Sequence, residues 1–322
     1  MSIAIDSPAD TETSDSISHT DESLGQRLQA ETTAVRLKIR WMGVRKTLSQ
    51  DQTRAAAGTF DADIKSVSAT KKLFDTSHPA MRAATAVRTQ AVEYWKSHTL
   101  PYIEPGVRLL RRSDVPAFDN HMTKVSVELQ AAANELEQHY GELIGQARQR
   151  LGNLFDPSDY ATNLDDLFAI QWEYPSCEPP EYLLRVSPSL YYNECARVQT
   201  RFDEAVRLAE QAFADELGQL VSHLAERLSG DGVGSGKVFR DTAVTNLLDF
   251  FERFQKLNIR SDDQLDRLVA DARRVLSGVR PQDLRDQAAM REHVAGELAR
   301  VEASLDRWTT DRPRRSIQRR AR

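Results

Sequence analysis

Four aspartates, Asp156, Asp159, Asp165 and Asp166, crowd the segment LGNLFDPSDYATNLDDLF. Carboxylates at such spacing can share a hard cation or divide general acid and general base work. Their neighbours favour a plainer use. Asp156 precedes Pro157 and suits a turn cap, while Asp165 and Asp166 suit a helix start. A metal-dependent hydrolase at this acidic joint is therefore the last of three functional readings.

The loop GDGVGSGKV, residues 230–238, resembles a phosphate-binding loop but fails its requirements. Counting back from Gly236-Lys237, the first position is Asp231, the hydroxyl position is Val238, and a helix rather than a strand precedes it. It reads as an interhelical loop. The seven histidines (19, 78, 98, 121, 139, 223 and 293) form no i, i+4 pair that would set two imidazoles on one helical face. No metal site and no cofactor are expected. Cys177 and Cys195 have no base placed near them by sequence and read as reduced thiols.

Basic residues offer a different chemistry. Arg36, Lys38 and Arg40 alternate with Val35, Leu37, Ile39 and Trp41, so a strand here is apolar on one face and cationic on the other. Arg45 and Lys46 extend that face, and Arg314, Arg315, Arg319 and Arg320 crowd the C-terminus. These nine residues are the candidate phosphate contacts of a nucleic-acid reading. The aromatics Phe155, Tyr160, Phe168, Trp172 and Tyr174 lie among acids, which disfavours base stacking. They read as the packed interior of a joint and as a candidate docking surface for a protein partner.

The elements that position these groups follow from periodicity. After a strand at 35–41, TLSQDQTRAAAG forms a short helix capped at Thr47 or Ser49 and stopped by Gly58. Residues 63–68 and 106–111 read as further strands, with a helix between them at 78–97 that ends before Pro101. One amphipathic arm spans 117–151 and a second spans 189–229. Joined by a compact insert, the arms are expected to pack antiparallel as a hairpin. Helices resume after 239, with a capping box at Ser261 and Gln264 and a turn at Gly278.

The 322 residues carry a net charge of −5, 28% charged side chains and only 14 glycines, a profile of helix-rich folds. No apolar run approaches the roughly 20 residues that span a bilayer, and the first residues lack a signal-peptide pattern, so a cytoplasmic protein is expected. The fold class is mainly α (α+β), a long antiparallel helical hairpin or bundle with a small N-terminal β-sheet subdomain. Residues 1–25 read as a disordered acidic tail and 26–116 as the α/β subdomain. Residues 117–308 read as the hairpin and bundle, with the joint at 152–188, and 309–322 as a disordered Arg-rich tail.

Several blocks, in order, resemble a known family. They are LKIRWMGVRK, KKLF, TLPYIEPGVRLL, YGELIGQARQRLGNLFDPSDY and FRDTAVTNLLDFFERFQKLNI followed by DDQL. The chain is similar, from about Val35 to Trp308, to the domain-of-unknown-function family three-one-five-zero of tailed phages and bacterial mobile elements. That resemblance implies no catalytic residues. It implies a context: genes beside a AAA+ ATPase of cobaltochelatase or MoxR type and a von Willebrand factor A protein. The leading expectation is thus a non-enzymatic accessory protein whose partner is such an ATPase.

Overall fold

A computed structural model describes residues 23–229 and 241–311. The alternating run is a strand, β1 (Thr32–Arg40), entered from a short helix, α1 (Leu24–Glu31). A hairpin strand β2 (Arg45–Thr47), helix α2 (Gln50–Thr59) and strand β3 (Thr70–Lys72) follow. Next come α3 (Pro79–Ser97), β4 (Thr99–Pro101), β5 (Val107–Arg111), α4 (Val115–Gln138) and α5 (Tyr140–Leu151). The joint carries β6 (Ala169–Glu173) and α6 (Tyr182–Val186). The remainder is helical: α7 (Pro188–Leu228), α8 (Thr242–Leu257), α9 (Asp263–Val275), α10 (Pro281–Asp286) and α11 (Ala288–Asp311).

The main sheet has the order β4-β5-β1-β6 and is antiparallel throughout. Successive residues of β1 point to opposite faces, so the sheet divides the protein into two cores. On one face Ala34, Leu100, Val107 and Leu109 meet Leu28 and the buried sides of α7, α8, α9 and α11. On the other, Val35, Leu110 and Ile170 meet α3, α4 and α5 through Met81, Phe118, Met122 and Leu129. Each such fully buried side chain contributes roughly 1.5–3 kcal/mol by leaving water. The mainly α class with a small antiparallel sheet therefore holds, arranged as helices on both faces of that sheet.

The expected hairpin of two arms is corrected by this division. The first arm, α4 and α5, is buried in one core and the second, α7, in the other, with the sheet between them. Periodicity showed that each arm has one apolar stripe but not which surface covers it. The first arm also bends. α4 ends at Gln138 and α5 begins at Tyr140, with the His139 N–H bonded back to Leu136 and the His139 carbonyl accepting from Leu143. Gly141 and Gly145 just beyond weaken helix continuation there.

The sheet is not confined to residues 26–116, because β6 from the joint pairs with β1 from Arg36↔Glu173 to Arg40↔Ala169. Residues 63–68 are not a strand. Asp63 accepts a hydrogen bond from the Lys65 N–H and closes a 3-10 turn over Ile64–Ser66. The second small sheet is instead the β2–β3 hairpin. Of the two proposed caps for α2, Ser49 is used, in a reciprocal capping box with Gln52. The α9 cap is Asp262 rather than Ser261, and its carboxylate accepts from the Leu265 N–H. One glycine has a packing reason: a Cβ on Gly25 would stand 2.1 Å from Asp203 Oδ1 and 2.9 Å from its backbone N, so α1 lies directly on α7.

Candidate functional site

The joint begins where α5 stops. Gly152, with φ of 50°, takes a conformation that disfavours a side chain and turns the chain. Asp156 then accepts from the Ser158 N–H and caps the next turn, and those hydrogen bonds hold its carboxyl below the usual range. Asp159 has another task. Its oxygens face Lys46 Nζ and Lys71 Nζ, each at 2.5 Å. The Asp159 and Lys71 side chains are only 2% and 4% exposed. Lys71 also donates to the Leu154 carbonyl at 2.7 Å. Burial pushes the Asp159 carboxyl up, but the two lysines outweigh it and hold the group below its ordinary value. A carboxylate kept ionised between two cations is suited to clasping the joint onto the β2–β3 hairpin. It is poorly suited to moving protons near neutral pH.

The aromatics of the joint complete this clasp. Phe155 stacks on Tyr160 at 5.2 Å, Tyr160 meets Phe74 edge-on at 5.3 Å, and the Tyr160 hydroxyl donates to the Leu73 carbonyl. Phe168 is buried edge-on to Trp41 at 4.8 Å. Trp172 donates its indole N–H to Asp119 at 2.8 Å. Asp165 and Asp166 lie in the turn before β6, not at a helix start, and Asp166 has φ of 60°. Of the five candidate docking residues, Phe155, Tyr160, Phe168 and Trp172 are thus engaged in the protein's own packing, and Tyr174 is exposed.

Immediately beyond Tyr174 the pattern reverses. Tyr182 is 56% exposed, Val186 75% and Tyr192 65%, and Leu184 and Leu190 are exposed with them. These side chains come from α6 and the first turns of α7. A cavity of about 270 Å³ opens beside them, walled by Pro175, Pro179, Pro180 and Leu183. Elsewhere exposed large apolar residues such as Phe60, Val127 and Leu248 lie far apart in sequence. A run of exposed apolar side chains on one segment is the usual mark of a surface that another molecule covers. Sequence reasoning singled out the joint for its aromatic density, from which burial could not be read; the exposed apolar side chains lie one segment further on.

The basic strand face is largely neutralised. Arg36 pairs with Glu104 and with Glu173, the latter at 3.0 Å, and Lys38 meets Glu173 at 2.5 Å. Lys38 foremost, with Arg36, holds Glu173 below the usual carboxylate range. Arg40 donates to the Asp166 carbonyl, Lys46 belongs to the clasp, and Arg45 is exposed on β2. The cause is β6, whose Glu173 sits opposite Arg36 in the sheet. Arg314, Arg315, Arg319 and Arg320 lie outside the described residues, as does the glycine-rich loop at 230–238.

Two further groupings escaped the sequence. A cleft of about 630 Å³ is lined by Arg108, His121, Glu216 and Arg253. Arg108 donates to Thr99 Oγ1 and O, both at 2.7 Å, and to the Lys96 carbonyl, which closes the C-terminal end of α3. Burial, with Arg253 nearby, pushes its pKa down to about 10, and Arg253 pairs with Glu216 at 2.5 Å. Beside this cleft Tyr94 is stacked between His98 and His121, at 3.9 and 3.5 Å. Burial pulls the His98 pKa below its ordinary value. The second grouping brings His78, His139 and Glu142 within 4.8 Å of one another. No i, i+4 histidine pair is involved: His78 is distant in sequence from His139, and the fold brings the two together.

Both cysteines are free thiols, and burial pushes the Cys177 pKa up, which makes it a weak nucleophile. No helix among the described residues is long and apolar enough to cross a membrane. No family model, curated protein or solved structure matches the chain.

Proposed function

We propose that this protein is a non-enzymatic helical accessory protein that docks a protein partner through the apolar surface between Tyr174 and Tyr192. One observation carries the reading. Tyr182, Leu184, Val186, Leu190 and Tyr192 are exposed together on a segment held by the folded joint on one side and by the 41-residue helix α7 on the other. Side chains already carried on helices lose less conformational freedom on binding than those of a disordered segment, which favours affinity. The family resemblance names the partner class: a AAA+ ATPase of cobaltochelatase or MoxR type, with a von Willebrand factor A protein, in a phage or mobile-element module.

Co-purification with a AAA+ ATPase of the proposed class from the same genome tests the proposal. A stable complex, or an ATPase rate that changes when this protein is added, supports it; no complex together with an unchanged rate removes it.

The nucleic-acid reading retains exposed Arg45 and the tail arginines. It predicts binding that falls steeply with salt and vanishes when residues 312–322 are deleted. The acidic-joint hydrolase has the least support, since Asp156 caps a turn and Asp159 is clasped by two lysines.

A further inference from the structure

We infer that His78, His139 and Glu142 form a binding site for a zinc-type divalent cation at the bend between α4 and α5. The inference is independent of the docking proposal. Two imidazoles and one carboxylate make a common donor set for Zn²⁺, leaving a fourth position for water or another ligand. The three ligand atoms lie within 4.8 Å of one another, and His139 Nδ1 is 3.8 Å from Glu142 Oε2. Donors around a tetrahedral zinc stand roughly 3.3 Å apart, as bond lengths of about 2.0–2.2 Å require. Small side-chain rotations close that difference, and Glu142, exposed on α5, is free to make one.

The surroundings already orient two of the three ligands. Glu135 Oε1 lies 3.3 Å from His139 Nε2. A proton on Nε2 satisfies that contact and leaves the Nδ1 lone pair facing Glu142 and His78, the carboxylate–histidine arrangement found behind metal ligands. Gln146 donates to Glu142 Oε1 at 2.9 Å, so Oε2 is the oxygen that remains toward His139. His78 is the ligand with something to give up. Its Nδ1 accepts a 3.3 Å bond from the Ala80 N–H at the start of α3. A bond that long is weak, and binding a metal through this ring exchanges it for a metal bond. The rings of His78 and His139 are already 5.1 Å apart, so the metal would tie the start of α3 to the α4–α5 bend.

His139 and Glu142 are an i, i+3 pair and share a helical face. Only the third ligand, His78, required the fold.

Isothermal titration of the untagged, full-length chain with Zn²⁺ and, separately, Mg²⁺ tests the site. The expected result is a single equivalent of bound zinc and no magnesium. Glu142→Gln and His78→Asn should each weaken zinc at least about tenfold, and Glu135→Gln, which acts only through His139, by about tenfold. Asn is a good helix cap, so His78→Asn keeps α3 started while removing the imidazole. Zinc should also raise the Tm of the wild type and not of Glu142→Gln. Absence of zinc binding overturns the proposal, and so does binding that Glu142→Gln and His78→Asn leave unchanged.

Discussion

Residues 155–172 and 174–192 are neighbouring and aromatic-rich, yet they spend their apolar side chains in opposite ways. In the first segment Phe155, Tyr160, Phe168 and Trp172 each have a ring or hydrogen-bond partner inside the protein. In the second, Tyr182 and Val186 stand in solvent, and Tyr192, though mostly exposed, meets the ring of its chain neighbour Tyr191 edge-on. The difference lies in what anchors each stretch. The first is fixed by β6 in the main sheet and by Asp159 between two lysines. The second leaves the sheet after Glu173 and travels along the outside on α6. Aromatic density alone therefore does not identify a docking surface; the partner that each ring already has decides it.

That contrast can be broken at several points, in decreasing order of effect. Phe168→Ala should cost about 4 kcal/mol, since it removes a fully enclosed ring and leaves a cavity against Trp41. Urea unfolding would show it as a lower midpoint with an unchanged slope. Asp159→Ala should cost on the order of 3 kcal/mol, because it leaves the buried Lys71 charge without its carboxylate. A loss below roughly 0.5 kcal/mol, the range of ordinary surface substitutions, would mean the clasp is not what holds the joint.

The clasp also predicts a pH dependence. Asp159 is held below its ordinary value of 3.8, so the folded state binds its proton less readily than the unfolded chain. The stabilisation is complete above the unfolded pKa and is lost as pH falls through the lower, folded one. Thermal unfolding between neutral pH and the acid limit should show that loss only at the acid end, and Asp159→Asn should reduce it. Smallest of all should be the outward segment's effect on stability. Tyr192→Ser and Val186→Ser should each change it by less than about 0.5 kcal/mol. A larger loss would show that these side chains are packed in solution and would collapse the contrast.

Much of the secondary structure was legible because it rests on local periodicity. The alternation that begins at Val35 marks the second half of β1 (Thr32–Arg40), and the stripes of α3, α7 and α8 follow helical spacing. What was not legible is what each stripe meets. AIQWE has too few residues to announce a strand, yet as β6 it completes the sheet, pairs Glu173 with Arg36 and Lys38, and carries Trp172 onto α4. One missed strand therefore changed the reading of the basic face and of the joint together. The role of Asp159 is not visible in the sequence because its lysines, Lys46 and Lys71, are remote from it along the chain. His78 and His139 are likewise remote in sequence and meet only in the fold.

The central claim is that the outward segment, and not the joint, meets the partner. Its most direct test is the affinity of the AAA+ ATPase proposed as partner for three proteins: the wild type, Phe155→Leu in the joint, and the triple variant Tyr182→Ser, Val186→Ser and Tyr192→Ser. The account predicts equal affinity for the first two and a loss of at least about tenfold for the third, with its Tm unchanged. Equal affinity for all three, or no affinity of the wild type, would contradict it.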